Sequence, residues 1–271
     1  GLFRVVIPSY SPADTMDFMC KKAYSQKTPS SMYRFFETFT NYYFATDEFL
    51  ITKAAKNPSQ IHEMTFNPFT PLDAQDPMDQ VNAIESFSNP SRVDTAMDMY
   101  SGGYMNKVGE IDFIRRNYTE TYYSYKDDGI YYNMEGEQMN IKDNIHTEAF
   151  MDENFNENNA RHLLVFRDFR RPGDLPSQVR GDQYYKEIAS RRLIWDHHIK
   201  NNAVGIQLKG RLDIEPGHMI KVLVPEMKVE EDKKKKLSEQ YGGNYFVQAV
   251  SHIIQDDVLN TSMTLYKFDW S

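Results

Sequence analysis

The amino-acid sequence predicts an α+β protein, in which a mixed α/β domain is followed by a small antiparallel β-barrel with a flanking helix. The first observation is an amphipathic run at residues 183–200, which predicts a helix. The second is a series of short alternating runs behind it, separated by turn residues such as Gln255-Asp256-Asp257, which is typical of a small barrel. The third is the order of strands and helices before residue 135, which indicates an α+β domain. The four late runs are residues 204–208, 219–224, 245–251 and 261–268.

Capping residues mark the helix starts in the first part of the chain. Ser11 supplies an N-cap, Pro12 fits the first helical position, and the helix carries an apolar stripe that includes Met16 and Cys20. A second helix begins after Asn89-Pro90-Ser91 and ends at Gly102-Gly103. The other predictions are a strand at 2–7, a hairpin at 32–37 and 42–45, a helix at 48–56, strands at 61–66, 81–87, 104–108, 111–114 and 118–125, and a tight hairpin through Asp127-Asp128-Gly129 to 130–134.

The predicted elements define three segments in chain order. We expect an α+β domain at 1–135, a polar excursion or linker at 136–180, and a helix plus barrel at 181–271. The middle segment is rich in Asn, Asp and Glu, and only residues 163–166 have a strand-like pattern. Because the chain begins at Gly1, without Met, inside a strand-like run, we also expect a processed product or a fragment of something longer.

Composition excludes several classes of protein. The 271 residues carry a formal net charge of −8, which argues against a general nucleic-acid binder, because that affinity comes from neutralising phosphates with Lys and Arg. A single cysteine, Cys20, excludes an internal disulfide framework, and we expect its side chain to be buried. No apolar run approaches the roughly 18 residues needed to cross a bilayer, so we expect a soluble protein without membrane insertion.

Motifs that carry chemistry are missing from the sequence. It contains no phosphate-binding loop, dinucleotide fingerprint, nucleophile elbow or zinc-protease motif. His197 and His198 are consecutive, so on a helix they point about 100° apart and cannot chelate one ion; we expect His198 to be a cation near the helix end. Asp94 and Asp98 are expected to be solvated acids, and the lysines at 233–236 a solvated loop. No catalytic, metal or cofactor-binding residue is therefore predicted, and no cofactor.

Short motifs also follow one another in a definite order. Residues 7–12 (IPSYSP) precede a helix and then 33–38 (YRFFET); in the last third, 211–222 (RLDIEPGHMIKV), 242–254 (GGNYFVQAVSHII) and 261–267 (TSMTLYK) follow a helix that holds Arg191, Arg192 and Trp195. In this order the chain resembles the baseplate hub proteins of contractile-tailed bacteriophages, and the related spike hubs of bacterial secretion machines share the same barrels. The likeness weakens across 135–180, and the first tube-like barrel of that family has no counterpart here.

The resemblance implies a structural subunit of a phage tail baseplate and no enzymatic activity. It implies a tail-tube-like barrel and a homotrimeric ring that joins the tail tube to the central spike and surrounds the channel for DNA and the tape-measure protein. Expected partners are the tail tube protein, the central spike protein, the tape-measure protein and other baseplate proteins, with DNA only in passage. The expected location is the virion, after assembly in the host cytoplasm.

Candidate interface residues follow from the alternation of barrel strands. Val204, Ile206 and Leu208 should face the barrel core, which leaves Gly205, Gln207 and Lys209 to face a neighbour or the channel. Positive charge late in the chain could set register against an acidic surface of another subunit. The candidate interface residues are Gln207, Lys209, Arg191, Arg192, Arg167, Arg170 and Arg171.

A second hypothesis assigns the chain to a different class of function. Carboxylates such as Glu110 and Asp112, together with the Tyr-rich strands as a sugar platform, would suit a tail-associated cell-wall hydrolase or a glycan-binding module. A glycosidase needs two carboxyl groups at a defined separation, one of them with a raised pKa. The sequence alone does not show either property.

Overall fold

The computed structural model describes residues 6–23, 25, 27, 32–57, 61–66, 80–88, 95–113, 116–132, 137–140, 161–166, 180–225, 238 and 241–267. Contacts divide the chain into two compact units. The first comprises Gly1–Glu48, Val93–Ile130 and Asn140–His198, and the second comprises Phe49–Arg92, Tyr131–Met139 and Ile199–Ser271. Neither unit is continuous in sequence, which differs from the chain-order segments 1–135, 136–180 and 181–271.

The first unit combines helices with two small sheets. Its elements are α1 (Pro12–Lys22), β1 (Tyr33–Glu37), β2 (Tyr42–Thr46), α3 (Thr95–Ser101), β5 (Met105–Asp112), β6 (Asn117–Ser124), α4 (Tyr125–Asp128), β9 (Arg161–Phe166) and most of α5 (Arg180–Asn201). Strands β1 and β2 form an antiparallel hairpin. Strand β5 lies between antiparallel β6 and parallel β9. Helix α1 begins as predicted, because the Asp14 N–H donates to the Ser11 Oγ at 3.2 Å.

The second unit is built around a six-stranded sheet. Its elements are α2 (Asp47–Ala55, from Phe49 onward), β3 (His62–Thr65), β4 (Ile84–Ser88), β10 (Ala203–Lys209), β11 (Met219–Leu223), β12 (Gly243–Gln255) and β13 (Val258–Lys267). The strand order is β3-β11-β12-β13-β10-β4, in which β3 and β11 are parallel neighbours and the other neighbours are antiparallel. A further short pair, β7 (Ile130–Tyr132) and β8 (Gln138–Asn140), forms a two-stranded sheet.

The six-stranded sheet curls until its two edges meet. A single parallel bridge joins Thr65, in β3, to Ala83, just before β4. The enclosed core is mainly aliphatic, and all six strands contribute to it. Its buried members include Met64, Ile84, Val204, Ile206, Leu208, Ile220, Val222, Tyr245, Val247, Met263 and Leu265. The prediction that Val204, Ile206 and Leu208 face the barrel core is therefore confirmed.

The predicted α+β class is confirmed, and so are the late helix, the four late strands and the strand at 163–166. The β1–β2 hairpin and the turn at Asp256-Asp257 also form as predicted. The barrel, however, is not made by the last third alone, since β3 and β4 come from residues 62–88. Local sequence patterns do not reveal such distant pairings.

One predicted turn is wrong. Asp127-Asp128-Gly129 does not join two paired strands; residues Tyr125–Asp128 form the short helix α4, and β7 pairs with β8. The reason is local, because the Ser124 Oγ accepts from the Asp127 N–H at 3.0 Å and so acts as a helix N-cap. The predicted strand at 2–7 lies largely outside the described residues, as do Asp94, the lysines at 233–236 and most of the polar excursion.

Candidate functional site

The outer face of the barrel carries small, uncharged side chains where β4, β10, β13 and β12 lie side by side. Because neighbouring strands pair in register, these side chains form two rows across the sheet. The rows are Ser86, Gln207, Ser262 and Ser251, and Ser88, Gly205, Thr264 and Ala249. They line a shallow groove of about 310 Å³. The predicted candidate Gln207 thus lies at the centre of a flat face on which another protein surface could pack closely.

Gly205 matters to this face because of its neighbour Ser88. The Ser88 hydroxyl donates to the Gly205 carbonyl oxygen at 3.2 Å. A Cβ at position 205 would lie 2.6 Å from that hydroxyl oxygen, closer than side chains approach. The glycine therefore keeps the face flat.

Lys209 lies at the end of β10, next to a β-bulge. The bulge falls between Gln207 and Leu208 in the pairing with β4. The Lys209 Nζ is 3.9 Å from a Glu85 carboxylate oxygen, and half of the lysine side chain is exposed. An exposed pair of this kind contributes little to stability, so both charges stay available to a partner.

A polar cluster on the barrel is centred on the side chain of Arg211. The Arg211 guanidinium donates to the Asp213 carboxylate, with Nε at 2.8 Å, and to the Asn82 Oδ1 at 2.5 Å. Its Nη2 lies 3.2 Å from the Nδ1 of His62. His62 begins the edge strand β3, and Asn82 lies just before the edge strand β4. The buried Arg211 side chain therefore links both edge strands to the loop after β10, which contains Asp213.

The backbone of Arg211 is held as firmly as its side chain. Its N–H donates to the Thr261 Oγ1 at 3.1 Å, and its carbonyl oxygen accepts from the same hydroxyl at 3.2 Å. The Arg211 guanidinium lowers the pKa of Asp213 to about 2, and the carboxylate in turn raises the pKa of Arg211. Sequence reasoning did not single out this cluster; the Arg-x-Asp spacing was the available signal.

The helix arginines serve contacts inside the first unit. Arg192 donates to the main-chain carbonyls of Lys21, at 2.6 Å, and of Ala23, and so satisfies the C-terminal end of α1. Arg191 lies 3.8 Å from an Asp128 carboxylate oxygen. Arg167, Arg170 and Arg171 lie outside the described residues. Arg192 thus has a structural role, and a role of these arginines in an interface stays a prediction.

The prediction of a cationic His198 is wrong. Its ring is 1% exposed, and its Nδ1 lies 3.1 Å from the Tyr125 hydroxyl. Burial, with a smaller contribution from His197, lowers the pKa of His198 from 6.5 to about 4, so the ring is neutral at neutral pH. His197 packs edge-on against Tyr104, with ring centroids 4.4 Å apart. Both histidines are therefore core residues, and Cys20 is buried as predicted.

The carboxylates of the hydrolase hypothesis lie on the opposite face of the sheet from Tyr118 and Tyr122, and on the same face as the buried Tyr123. Lys107 and Gly109 share a face with Tyr122 and Glu120, their partners on β6. Glu110 and Asp112 alternate with these residues and point to the other face. Among the residues that the structure describes, no cluster of three or more His, Cys, Asp or Glu side chains could hold a metal ion.

No described helix is both long and apolar enough to span a membrane.

Comparisons with known proteins reach only a distant structural likeness. No protein-family model matches the chain, and no curated protein matches it. Among solved structures, the tail protein from Neisseria meningitidis MC58 is similar, with 11% sequence identity and a TM-score of 0.38. The match covers 77% of this chain and 44% of that chain, so this chain spans less than half of that protein's length. A likeness this distant assigns no function to the chain.

Proposed function

We propose that the chain is a structural subunit of a phage tail, and more specifically of the baseplate hub. In this role it forms a homotrimeric ring that joins the tail tube to the central spike around the channel for DNA and the tape-measure protein. The proposal starts from the order of motifs in the sequence, which resembles that of the hub family.

The observation that carries the proposal is the flat outer face of the barrel. Its two rows of Ser, Thr, Gly, Ala and Gln side chains hold no charge and no bulky group. Such a face lets a neighbouring subunit approach closely, and its two rows would not grip DNA, because they offer no lysine or arginine to the phosphates. The net charge of −8 is consistent with DNA that passes without being held.

The proposed partners are the tail tube protein, the central spike protein, the tape-measure protein and other baseplate proteins. The proposed location is the virion, after assembly in the host cytoplasm. Antibodies raised against the chain should label one end of intact tails in electron micrographs. Label spread along the tail, or no label on it, would contradict the baseplate assignment.

The ring is tested by the mass of the purified protein in solution. We expect a trimer at micromolar concentration by mass photometry and light scattering. Gln207→Arg places a charge at the centre of the flat face and should weaken association about tenfold, or by about 1.4 kcal/mol. Thr40→Arg, in the exposed loop between β1 and β2, is the matched control and should leave association unchanged.

These measurements test the existence of the ring and the position of its interface independently. A protein that stays monomeric at every accessible concentration would contradict the ring. A trimer that Gln207→Arg leaves intact would retain the ring and move the interface away from the flat face.

A further inference from the structure

The three-stranded sheet of the first unit has one face in the core and one face towards solvent. Val108, Tyr123 and Leu163 pack with Ile194 of α5 in the core. Because side chains alternate along a strand, the residues between them point to the other face. This second face, the tyrosine face, carries Lys107, Gly109, Tyr118, Glu120, Tyr122 and Leu164, which the strand register places side by side. Tyr118 is 52% exposed and Leu164 is 56% exposed.

An ion pair lies in the middle of the tyrosine face. The Lys107 Nζ is 2.7 Å from the Glu120 Oε2, and the Tyr118 hydroxyl donates to the Glu120 Oε1 at 2.8 Å. Hydrogen bonds from Lys107 and Tyr118 lower the pKa of Glu120, so the carboxylate is ionised. The Lys107 Nζ also lies 5.4 Å from the centre of the Tyr122 ring. A cationic donor and an anionic acceptor are therefore held in place between two tyrosine rings.

Gly109 makes room for the Tyr118 ring on this face. A Cβ at position 109 would lie 2.6 Å from the Tyr118 hydroxyl oxygen and 2.9 Å from the ring atom Cε2. Tyr118 pairs with Ile111, so its ring reaches diagonally across the sheet to lie over the glycine. A glycine inside a strand often marks such a close approach. The position of the ring is therefore set by the glycine as well as by the hydrogen bond to Glu120.

This combination suits a neutral sugar. A hexose has apolar C–H groups on its ring faces, which an exposed aromatic ring can cover. Each of its hydroxyls is both a donor and an acceptor, so it can bond to an ammonium and to a carboxylate at once. Ionised partners make the stronger hydrogen bonds, and partners that are already fixed lose little entropy on binding. The Lys107–Glu120 pair has no net charge, which favours an uncharged ligand over a phosphate or a charged peptide.

We infer that the tyrosine face is a binding site for neutral, hexose-based glycans. Tyr118 and Tyr122 pack against the sugar, while Lys107 and Glu120 bond to its hydroxyls. Glu120 is the only carboxylate among the strand residues described on this face, and glycoside hydrolysis needs two. The site therefore binds a glycan without cleaving it. It belongs to the first unit and does not depend on the proposed ring.

Isothermal titration calorimetry of the intact chain with defined oligosaccharides tests the ligand class. Maltohexaose, cellohexaose and chitohexaose are the neutral probes, and a heparin hexasaccharide of the same length is the anionic control. At least one neutral probe should bind, and the heparin probe should not. The inference is wrong if none of the neutral probes binds at millimolar concentration, or if heparin binds as well as they do.

Two variants test the location of the site. Tyr118→Ala should weaken binding of the neutral probe about tenfold, whereas Tyr42→Ala, at a 68% exposed tyrosine of the same unit, should not. Gly109→Ala should weaken it by a similar factor with little loss of stability in urea, because the Tyr118 ring can swing away from the new methyl group. Unchanged binding in Tyr118→Ala and Gly109→Ala, with the fold confirmed by circular dichroism, would overturn the inference.

Discussion

The two units bury different chemistry. The barrel encloses a mainly aliphatic core, in which Leu208, Ile220 and Val222 are fully buried. The core of the first unit includes a carboxylate: that of Asp47, with no exposed surface, accepts from the Arg34 Nε at 2.7 Å and the Trp195 Nε1 at 3.3 Å. An aliphatic core loses stability when volume is removed, whereas a polar core loses it when a partner or a protonation state changes.

The largest expected effect lies in the barrel core. Leu208→Ala removes a fully buried side chain and leaves a cavity, which should lower the free energy of unfolding by about 4 kcal/mol. Leu212→Ala, on the same barrel but 55% exposed, is the matched control and should change it by less than about 0.5 kcal/mol. Urea unfolding measures both. Similar losses in the two variants would contradict the assignment of the core.

A slightly smaller effect is expected in the first unit. Asp47→Ala leaves the Arg34 guanidinium and the Trp195 N–H without their common acceptor, at a cost of about 3 kcal/mol. Asp17→Ala breaks the Asp17–Lys21 pair, whose side chains are 64% and 71% exposed, and should cost less than about 0.5 kcal/mol. If both aspartate variants unfold at the wild-type urea concentration, Asp47 does not organise this core.

The first unit should also lose stability in acid. Because the pKa of His198 is lowered from 6.5 to about 4, the unfolded chain takes up a proton that the folded chain refuses. The contribution of His198 to the free energy of unfolding is fully present above pH 6.5. It falls as the pH approaches 4, and about 2.5 kcal/mol is lost at pH 4.5. Hydrogen exchange of β5, β6 and α5 as a function of pH measures this loss. His198→Gln should abolish the slope, and a slope that survives would assign it to other groups.

The smallest expected effect concerns the Arg211 cluster. Arg211→Met removes the hydrogen bonds to Asp213 and Asn82 and should destabilise the barrel by about 1 to 2 kcal/mol, with faster hydrogen exchange in β3 and β4. Lys221→Met, which breaks an exposed pair with Glu63 in the same barrel, should have almost no effect.

The same cluster has a pH window of its own. The pKa of Asp213 is lowered from 3.8 to about 2, so its contribution is present above pH 3.8 and is lost only as the pH falls towards 2. Half of this side chain is exposed, so the change in stability should be below about 1 kcal/mol. Asp213→Asn should therefore remove this contribution, and a difference between the variant and the wild type that disappears well above pH 3.8 would contradict the window.

Local patterns in the sequence predicted most of the helices and strands, but they did not predict which distant strands pair. The caps at Ser11 and the alternation of 204–208 predict α1 and β10 correctly, because capping and burial are encoded within a few residues. The short strands β3 and β4 carry no mark of their distant partners β11 and β10. His198 was misassigned because a helix end can be exposed or buried, and only tertiary packing decides which.

The candidate site, too, was predicted only in part from the sequence. Alternation placed Gln207 and Lys209 on the outer face of β10, opposite the core residues of that strand. The rows that extend this face across four strands depend on register, which no single strand reveals. Arg192 was predicted from its charge alone, and its contact with the end of α1 joins residues that lie far apart in sequence. The charge of Arg192 therefore predicted that this side chain makes a polar contact, but not which residues it contacts.

The proposed ring is tested most directly by imaging the purified protein. Negative-stain electron microscopy at micromolar concentration should show threefold rings with a central opening, and fewer rings should form in Gln207→Arg. Compact single particles at every concentration, without any ring, would contradict the account.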